Sequence, residues 1–363
     1  MKTIFNKVSL HFSILGALLL LSHTVIAQNE FKREYHKKYD CSKQTNFKLY
    51  NKYGDIEIRD WQKNEIEISA EIVLRDMSEQ KAEQVFDLID INFSHEGNSI
   101  LVETDYSEAF FKMVNRPFGG DSRFEVNYIV SMPAYVISEI ENKYGDLFIS
   151  KLISASTIRV KYGNLKINQF EGLDKEQMAN IELGYSDGSI EDCEWLKINC
   201  KYSKMNIQNS KALIILSKYS KLNIEQGSSI VSESKYDGYY IGNLANFVTE
   251  AEYSNFKFRE ITNKIRLNTK YTDFKVERVP ASFELIKIDN KYGSIKIGIE
   301  KNASYQLKGY AQYAKIHYPD DARISRYQEN NELRVEGIVG EKSSDLSEVT
   351  IQTKYGGVTL VPW

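Results

Sequence analysis

The sequence predicts an all-β fold: a parallel β-solenoid (a single-stranded β-helix) with rungs of about 17–21 residues and a small α+β capping insertion. Three observations predict it. The string Asn-Lys-Tyr-Gly-Asp occurs at Asn51–Asp55 and Asn142–Asp146, with a near copy at Asn290–Ser294. Tyrosines recur at nearly constant spacing between these copies. Apolar and polar residues alternate on both sides of each tyrosine.

The tyrosines set the period of the repeat. The chain has 24 tyrosines in 363 residues, and the gap is 17 residues four times in succession between Tyr185 and Tyr253. A gap of 42 separates Tyr313 from Tyr355, and we expect a divergent copy around Leu333–Val335 to fill it. The same position on stacked rungs forms a ladder, and the expected tyrosine ladder comprises Tyr144, Tyr162, Tyr185, Tyr202, Tyr219, Tyr236, Tyr253, Tyr271 and Tyr292.

The residues between tyrosines predict strands and turns. Apolar residues lie three and five positions after a tyrosine, as Leu222 and Ile224 do after Tyr219, with polar residues between them. A period of two indicates a strand with one buried face. The alternation breaks at Gly-Asp or Ser-Lys directly after the tyrosine, which favours a tight turn. About eleven rungs spaced ~4.8 Å apart would give a rod of roughly 50 Å. The regular spacing disfavours the alternative, a β-sandwich.

The chain is predicted to have four segments. Residues 1–27 resemble a cleaved signal peptide, with Lys2 and Lys7 before a short apolar stretch and Ala27 at the cut. The alternative is an uncleaved anchor helix, for which the apolar stretch is barely long enough. Residues 28–44 form a spacer, 45–135 the first rung with the α+β capping segment, and 136–363 the solenoid. We therefore expect export to the periplasm, the cell surface or the medium, without a transmembrane anchor after cleavage.

The capping segment departs from the repeat. Asp76–Glu79 has the pattern of a capping box, and apolar residues at helical spacing follow, so a helix is expected over 77–90. Phe124–Met132 alternates strictly and is expected as a strand that Pro133 ends. The helix is expected to cover one end of the stack. The apolar residues of the loop 105–123 either fold back onto this cap or form an exposed contact site.

Composition excludes several classes of function. The net charge of −3 is unlike the basic footprint of a nucleic-acid binder. The cysteines Cys41, Cys193 and Cys200 share no metal-ligand spacing with the histidines, and no cofactor or metal is expected. Cys200 falls at an inward position of the repeat, which predicts a buried free thiol. The alternative is a disulfide between one pair of the three cysteines, which their spacing does not identify. No catalytic motif is present.

Two rows of polar residues are candidate surface sites. A row of lysines directly precedes the tyrosines and is either a stripe for an anionic ligand or a solvated strand face. A row of acids and amides follows the tyrosines, either as turn residues bonded to their own backbone or as calcium ligands or acid/base groups. The proposed lysine stripe comprises Lys161, Lys201, Lys218, Lys235, Lys270 and Lys291, and the turn row comprises Asp55, Asp146, Asn164, Asp187, Asn255 and Asp273.

These motifs resemble a known family. Asn51-Lys-Tyr-Gly-Asp-Ile-Glu-Ile58 with Trp61, and later Met132-Pro133 before Ile140-Glu-Asn-Lys-Tyr-Gly-Asp-Leu147, are similar to the bacterial putative-adhesin family of β-strand-repeat proteins, the DUF4097 type. The resemblance covers about 45–363, with Tyr-Ser-Lys replacing Tyr-Gly-Asp in later rungs. It implies an exported β-solenoid and no catalytic residues.

Two functions remain open from the sequence. One is a non-enzymatic adhesin or envelope interaction or scaffold protein that acts through extended faces, with an anionic glycan or an envelope protein as partner. The other is a polysaccharide lyase or hydrolase on a β-helix, which a groove with converging acids would favour.

Overall fold

The computed structural model describes residues 30–114, 124–320, 322–341 and 344–363. The predicted signal peptide at 1–27 lies outside these residues. The predicted fold class is confirmed: 70% of the chain is strand and 4% is helix, and most neighbouring strands of the repeat pair in parallel. No helix among the described residues is long and apolar enough to cross a membrane.

The N-terminal part of the described chain contains its two helices. Its elements are β1 (Glu30–Asp40), β2 (Asn46–Lys52), β3 (Ile56–Asp60), β4 (Glu65–Arg75), α1 (Glu79–Phe86), β5 (Ile89–Glu96), β6 (Ser99–Tyr106), α2 (Glu108–Met113) and β7 (Phe124–Met132). Strand β1 lies in the segment expected as a spacer and pairs antiparallel with β4 along its whole length.

The central part forms regular rungs. Its strands are β8 (Ile137–Lys143), β9 (Leu147–Ile153), β10 (Thr157–Lys161), β11 (Asn164–Glu171), β12 (Ala179–Gly184), β13 (Asp187–Lys201), β14 (Lys204–Lys218), β15 (Lys221–Lys235), β16 (Gly238–Glu252), β17 (Asn255–Lys270), β18 (Asp273–Val279), β19 (Leu285–Lys291) and β20 (Ile295–Ile299).

One long strand supplies almost a whole rung in the middle of the stack. Strands β13 to β16 pair in parallel in one register, so that each residue faces the residue 17 positions later, as Lys201 faces Lys218. The alternating apolar residues point inward, and Leu222, Ile224 and Ile230 are almost fully buried. A single rung has no second layer against which to bury these residues, so the core is continuous along the stack.

The C-terminal part ends in an inserted rung. Its strands are β21 (Tyr305–Gln312), β22 (Ile316–His317), β23 (Arg323–Glu329), β24 (Glu332–Val339), β25 (Ser347–Lys354) and β26 (Val358–Pro362). Strand β25 lies between β19 and β21, and β26 lies between β20 and β22. The last rung of the chain is therefore not the last rung of the stack.

The expected repeat copy at Leu333–Val335 is not a rung. These residues belong to β24, which pairs antiparallel with β21 on one side and β23 on the other. They form part of a hairpin that caps the open edge of the solenoid. A strand of a rung and a strand of a capping hairpin both alternate with a period of two, so the sequence pattern does not distinguish them.

The N-terminal end is built in the same way. Strand β2 lies between β6 and β8, and β3 lies between β7 and β9. The outer strands β6 and β7 are in turn covered by antiparallel strands, β5 on the former and β4 on the latter. Both ends of the stack thus close with antiparallel strands, which protect the parallel edge from pairing with another chain.

The helix at the N-terminal end begins later than expected. Asp76 takes a left-handed conformation, and the hydroxyl of Ser78 accepts a hydrogen bond from the backbone N–H of Lys81. Ser78 is therefore the N-cap, and α1 ends at Phe86 because the chain enters β5 at Ile89. The helix buries Ala82, Val85 and Phe86 and packs against β1.

The apolar loop after β6 folds back in its described part. Phe110 is fully buried, Phe111 and Met113 pack against the core, and Val114 is almost buried. Phe118 lies outside the described residues.

Candidate functional site

Every rung turns at a tyrosine in the left-handed conformation. Twelve tyrosines have φ between 51° and 64°, a region that non-glycine residues seldom occupy. The backbone N–H of eleven of them donates to a carbonyl of the neighbouring rung, as that of Tyr202 does to Lys218 at 3.0 Å, and that of Tyr313 donates to Asn331 between β23 and β24. Hydrogen bonding between rungs therefore continues through the corner. This conformation also turns the side chain out of the core.

The twelve rings form one continuous stack. Neighbouring centroids are 4.7–5.1 Å apart, and neighbouring planes differ by at most 14°. We call this stack the tyrosine edge. Its order is Tyr53, Tyr144, Tyr162, Tyr185, Tyr202, Tyr219, Tyr236, Tyr253, Tyr271, Tyr292, Tyr355 and Tyr313. It contains all nine tyrosines of the expected ladder.

The tyrosine edge presents ring edges to the outside, not ring faces. From Tyr162 onward each ring is 40–54% exposed, although both faces of an internal ring are covered by its neighbours. At the N-terminal end Tyr53 is buried beneath Tyr106, Phe111 and Phe124. A partner therefore meets a line of ring edges and hydroxyl groups about one rung apart.

The row of lysines runs beside the tyrosine edge but is not continuous. Strand register gives its order as Lys52, Lys143, Lys161, Gly184, Lys201, Lys218, Lys235, Glu252, Lys270, Lys291 and Lys354. The proposed stripe of six lysines is therefore interrupted twice. Gly184 separates Lys161 from Lys201, Lys218 and Lys235. Glu252 separates those three from the last two.

Glu252 neutralises part of this row. Its carboxylate lies 3.0 Å from Nζ of Lys235 and 3.4 Å from Nζ of Lys270. Hydrogen bonding to Lys235 and then its charge lower the pKa of Glu252, and the same contact raises the pKa of Lys235. Lys201 and Lys218 form no ion pair with any described residue.

Two further lysines lie on the other side of the tyrosine edge. Lys204 and Lys221 begin strands β14 and β15, are exposed, and face each other in register. The sequence reasoning did not single them out. The available signal was the string Lys-Tyr-Ser-Lys, which occurs at 201–204 and again at 218–221.

Three acids of the turn row accept hydrogen bonds from the neighbouring rung. The sequence had led us to expect hydrogen bonds to the backbone of their own turn. The Asp55 carboxylate accepts the N–H of Asp146 at 2.7 Å, and the Asp146 carboxylate accepts the N–H of Asn164 at 2.8 Å. Asp273 accepts from Ser294 at 3.0 Å in the same way. These acids therefore hold rungs together. Among the described residues, no three or more His, Cys, Asp or Glu side chains are placed so that they could hold a metal ion together.

A second polar row lies inside the corner. After each of the six tyrosines from Tyr162 to Tyr253, the backbone N–H of the following residue donates to a side-chain oxygen of the next rung, as that of Ser203 does to Ser220. Asp237 occupies one of these positions and is almost fully buried. It accepts hydrogen bonds from the hydroxyls of Ser217 and Ser234, and burial raises its pKa.

The three cysteines are free, as expected for Cys200. Cys193 and Cys200 are buried, and burial raises the pKa of each thiol to about 12. Cys41 is half-buried, and burial also raises its pKa. Thiolate chemistry at neutral pH is therefore disfavoured at these sites.

An open groove lies on the sheet face beside the lysine row. It brings Glu233, Glu250 and Glu252 together with Leu216 and with the lysines of the row from Lys201 to Lys270. Glu233 and Glu250 face each other in register and are exposed. The groove thus carries both signs of charge on an open surface.

Comparison with known proteins gives a family and a set of distant structures. A family model described as Toastrack DUF4097 matches residues 42–361. A "putative adhesin" from Bacteroides fragilis is 10% identical, with 91% of this chain and 97% of that chain covered at a TM-score of 0.34. A "putative cell adhesion protein" from Clostridium sporogenes is 11% identical, with 92% and 100% covered at a TM-score of 0.21.

A third structure is named for lipid binding and not for adhesion. A "putative lipid binding protein" from Parabacteroides distasonis is 13% identical, with 90% of this chain and 96% of that chain covered at a TM-score of 0.25. The comparison with curated proteins finds no match.

Proposed function

Because this chain belongs to the Toastrack DUF4097 family, we propose that it is an exported, non-enzymatic β-solenoid that binds an extended partner through its tyrosine edge. The proposed partner is an anionic glycan or an envelope protein. Export rests on the signal-peptide pattern of residues 1–27.

The observation that carries the proposal is the continuity of the tyrosine edge. Ten exposed rings follow one another from Tyr162 to Tyr313 without a break. Tyrosine offers apolar surface and a hydroxyl on one side chain, a combination that is enriched in binding surfaces. The stack already fixes each ring, so binding costs little further side-chain entropy.

The geometry favours an extended partner. Because the ring faces are covered, flat groups have no free face on which to stack along the edge, and contacts are made by hydroxyls and ring edges. These groups repeat once per rung, 4.7–5.1 Å apart between ring centroids. A polymer strand or an extended peptide reaches many of them at once, whereas a small molecule reaches two or three.

Conservative substitutions test this function. In Tyr202→Phe, Tyr219→Phe and Tyr236→Phe combined, the stack is kept and three hydroxyls are removed. We expect weaker binding to whichever polysaccharide or envelope extract retains the wild-type protein. The matched control is Tyr240→Phe with Tyr327→Phe, two exposed tyrosines outside the stack. If the wild-type protein binds no polysaccharide that is tested and no envelope protein, the proposed function is wrong.

A polysaccharide lyase or hydrolase is the second candidate. The observation that favours it is the groove that brings Glu233, Glu250 and Glu252 together. A general acid needs a raised pKa, and the pKa of Glu252 is lowered instead. The enzyme would be favoured if the protein released reducing ends or unsaturated products from acidic polysaccharides and Glu250→Gln abolished this release. If the protein releases neither product, binding alone is favoured.

A further inference from the structure

We propose that four lysines on two adjacent rungs form the binding site for the acidic groups of a polysaccharide that carries carboxylates or sulfates. This inference rests on the proposed function and locates its anionic contact. The four residues, which we call the lysine quartet, are Lys201, Lys204, Lys218 and Lys221.

The quartet surrounds two stacked tyrosines. Lys201 and Lys218 face each other in register on one side of the edge, and Lys204 and Lys221 face each other on the other side. The rings of Tyr202 and Tyr219 between them are 5.0 Å apart and 11° from parallel. Four exposed lysines and two exposed tyrosines therefore lie together at one corner of two adjacent rungs, and Nζ of Lys218 is 5.5 Å from the centroid of the Tyr219 ring.

No other rung has this arrangement. In each of the remaining ten rungs, at most one lysine occupies the two positions that flank the tyrosine, which are one residue before it and two residues after it. The other position is often acidic, as Asp146 is in the rung of Lys143 and Asp273 is in the rung of Lys270. The lysine pairs are bounded by Gly184 and Asp187 on the preceding rung and by Lys235 and Gly238 on the following one. The quartet is thus the densest concentration of positive charge on the tyrosine edge.

The quartet lacks internal compensation. All four lysines are exposed, and none forms an ion pair with a described residue. By contrast, Lys235 on the next rung and Lys270 two rungs beyond it share Glu252. Like charges one rung apart repel, and an anionic ligand that binds only the folded chain relieves this repulsion.

The surroundings favour a polysaccharide over a nucleic acid. Proteins bind single-stranded nucleic acids by stacking bases on free aromatic faces, and both faces of Tyr202 and Tyr219 are covered. The net charge of the chain is also −3. Sugar hydroxyls, in contrast, form hydrogen bonds with phenol hydroxyls at ring edges, and lysine amines bind carboxylate and sulfate as point charges.

The test compares two variants of the full chain with equal change in charge. The quartet variant combines Lys201→Gln, Lys204→Gln, Lys218→Gln and Lys221→Gln. The control combines Lys197→Gln, Lys257→Gln, Lys287→Gln and Lys296→Gln, which are exposed lysines without a described ion pair and lie farther from the tyrosine edge. The probes are polygalacturonate for carboxylate, dextran sulfate for sulfate, and neutral dextran. A single-stranded oligonucleotide serves as a competing polyanion, and thermal unfolding confirms that both variants fold.

We expect the quartet variant to bind at least one acidic polysaccharide about tenfold more weakly, and the control within about twofold of wild type. Equal losses in both variants, no loss in the quartet variant, or tighter binding of the oligonucleotide would each overturn the inference. If the quartet variant loses nothing while the three Tyr→Phe substitutions do weaken binding, the inference is wrong and the proposed function stands. If the wild-type protein binds no polymer and no envelope protein, both are wrong.

Discussion

The ring of Tyr355 stacks on that of Tyr292 with centroids 4.9 Å apart, and the earlier Tyr313 covers its other face at 5.0 Å. The strands follow the same order, since β25 lies between β19 and β21. The rung that is last in the chain thus joins two rungs that precede it. Strands β19 and β21 each pair with β25 in the register given for the described residues.

Engineered disulfides test this order. Asp289 faces Gln352 in the native register, and Gln352 faces Tyr310. Asp289 and Gln352 lie on adjacent rungs, whose backbones are ~4.8 Å apart, so cysteines at these two positions are within the distance that a disulfide spans. We expect this pair to oxidise readily in a Cys41→Ala background, as judged by free-thiol titration and peptide mapping.

The control pair is Asp289→Cys with Tyr310→Cys. These positions would face each other if the rungs stacked in chain order, whereas the structure places them two rungs apart, about 10 Å. A bridge in the control pair, without one in the first pair, would contradict the inserted order.

Substitutions at Tyr219 separate ring stacking from backbone strain. Tyr219→Ala removes two stacking contacts and leaves a non-glycine residue at φ 54°. We expect a loss of about 1–3 kcal/mol in the free energy of unfolding. Tyr219→Gly removes the same contacts but relieves the strain, so it should cost less than alanine. Tyr219→Phe keeps the stack and should stay within about 0.5 kcal/mol. Urea unfolding measures all three, and glycine costing as much as alanine would show that strain is unimportant here.

The regular part of the fold was predictable because one residue marks each rung. The 17-residue spacing from Tyr185 to Tyr253 fixes the register of β13 to β16, and alternation around it fixes which side chains face inward. The ends were not predictable in the same way. Strands β21 and β25 have the same alternation, so periodicity does not decide which of them lies against β19.

The candidate site was predictable only in part. The lysines before the tyrosines were apparent from the repeat, as were Gly184 and Glu252, which take the place of lysine before Tyr185 and Tyr253. The pairing of Glu252 with both Lys235 and Lys270 was not apparent, because it depends on the stacking of the rungs. Lys204 and Lys221 were missed because they occupy the position that holds Asp or Asn in several other rungs. Their grouping with Lys201 and Lys218 depends on the corner, which places the two positions on either side of one ring.

Asp237 should make stability respond to acid in an unusual direction. Burial raises its pKa in the folded chain above its ordinary value, so the folded chain takes up this proton at a higher pH than the unfolded chain. The stability that protonation contributes is present below the unfolded pKa and is lost as pH rises through the folded pKa. Relative to Asp237→Ser, which restores the residue found at Ser220 and Ser254, the wild-type protein should gain stability as pH falls from 7 to 4.

Urea unfolding at both pH values measures this difference. Asp187→Ser serves as the control, since Asp187 is an exposed acid on the outer surface of the solenoid. A wild-type protein that loses stability relative to Asp237→Ser on acidification would contradict the assignment. Other acids act in the opposite sense, because hydrogen bonds from arginine lower the pKa of Glu57 and Glu139. The comparison between variants therefore matters more than the absolute pH profile.

Removing Glu252 should strengthen the binding of an acidic polysaccharide. In Glu252→Gln, Lys235 and Lys270 lose the carboxylate that now lies within 3.4 Å of both. The lysine row then gains two uncompensated amines, of which Lys235 lies on the rung next to the quartet. Exposed pairs contribute little to folding, so the free energy of unfolding should change by less than about 1 kcal/mol. We expect retention on a polygalacturonate or dextran sulfate column to shift to higher salt. The control is Glu194→Gln, which frees Lys211 away from the tyrosine edge and should shift retention less. Equal shifts would mean that overall charge, and not the lysine row, governs retention.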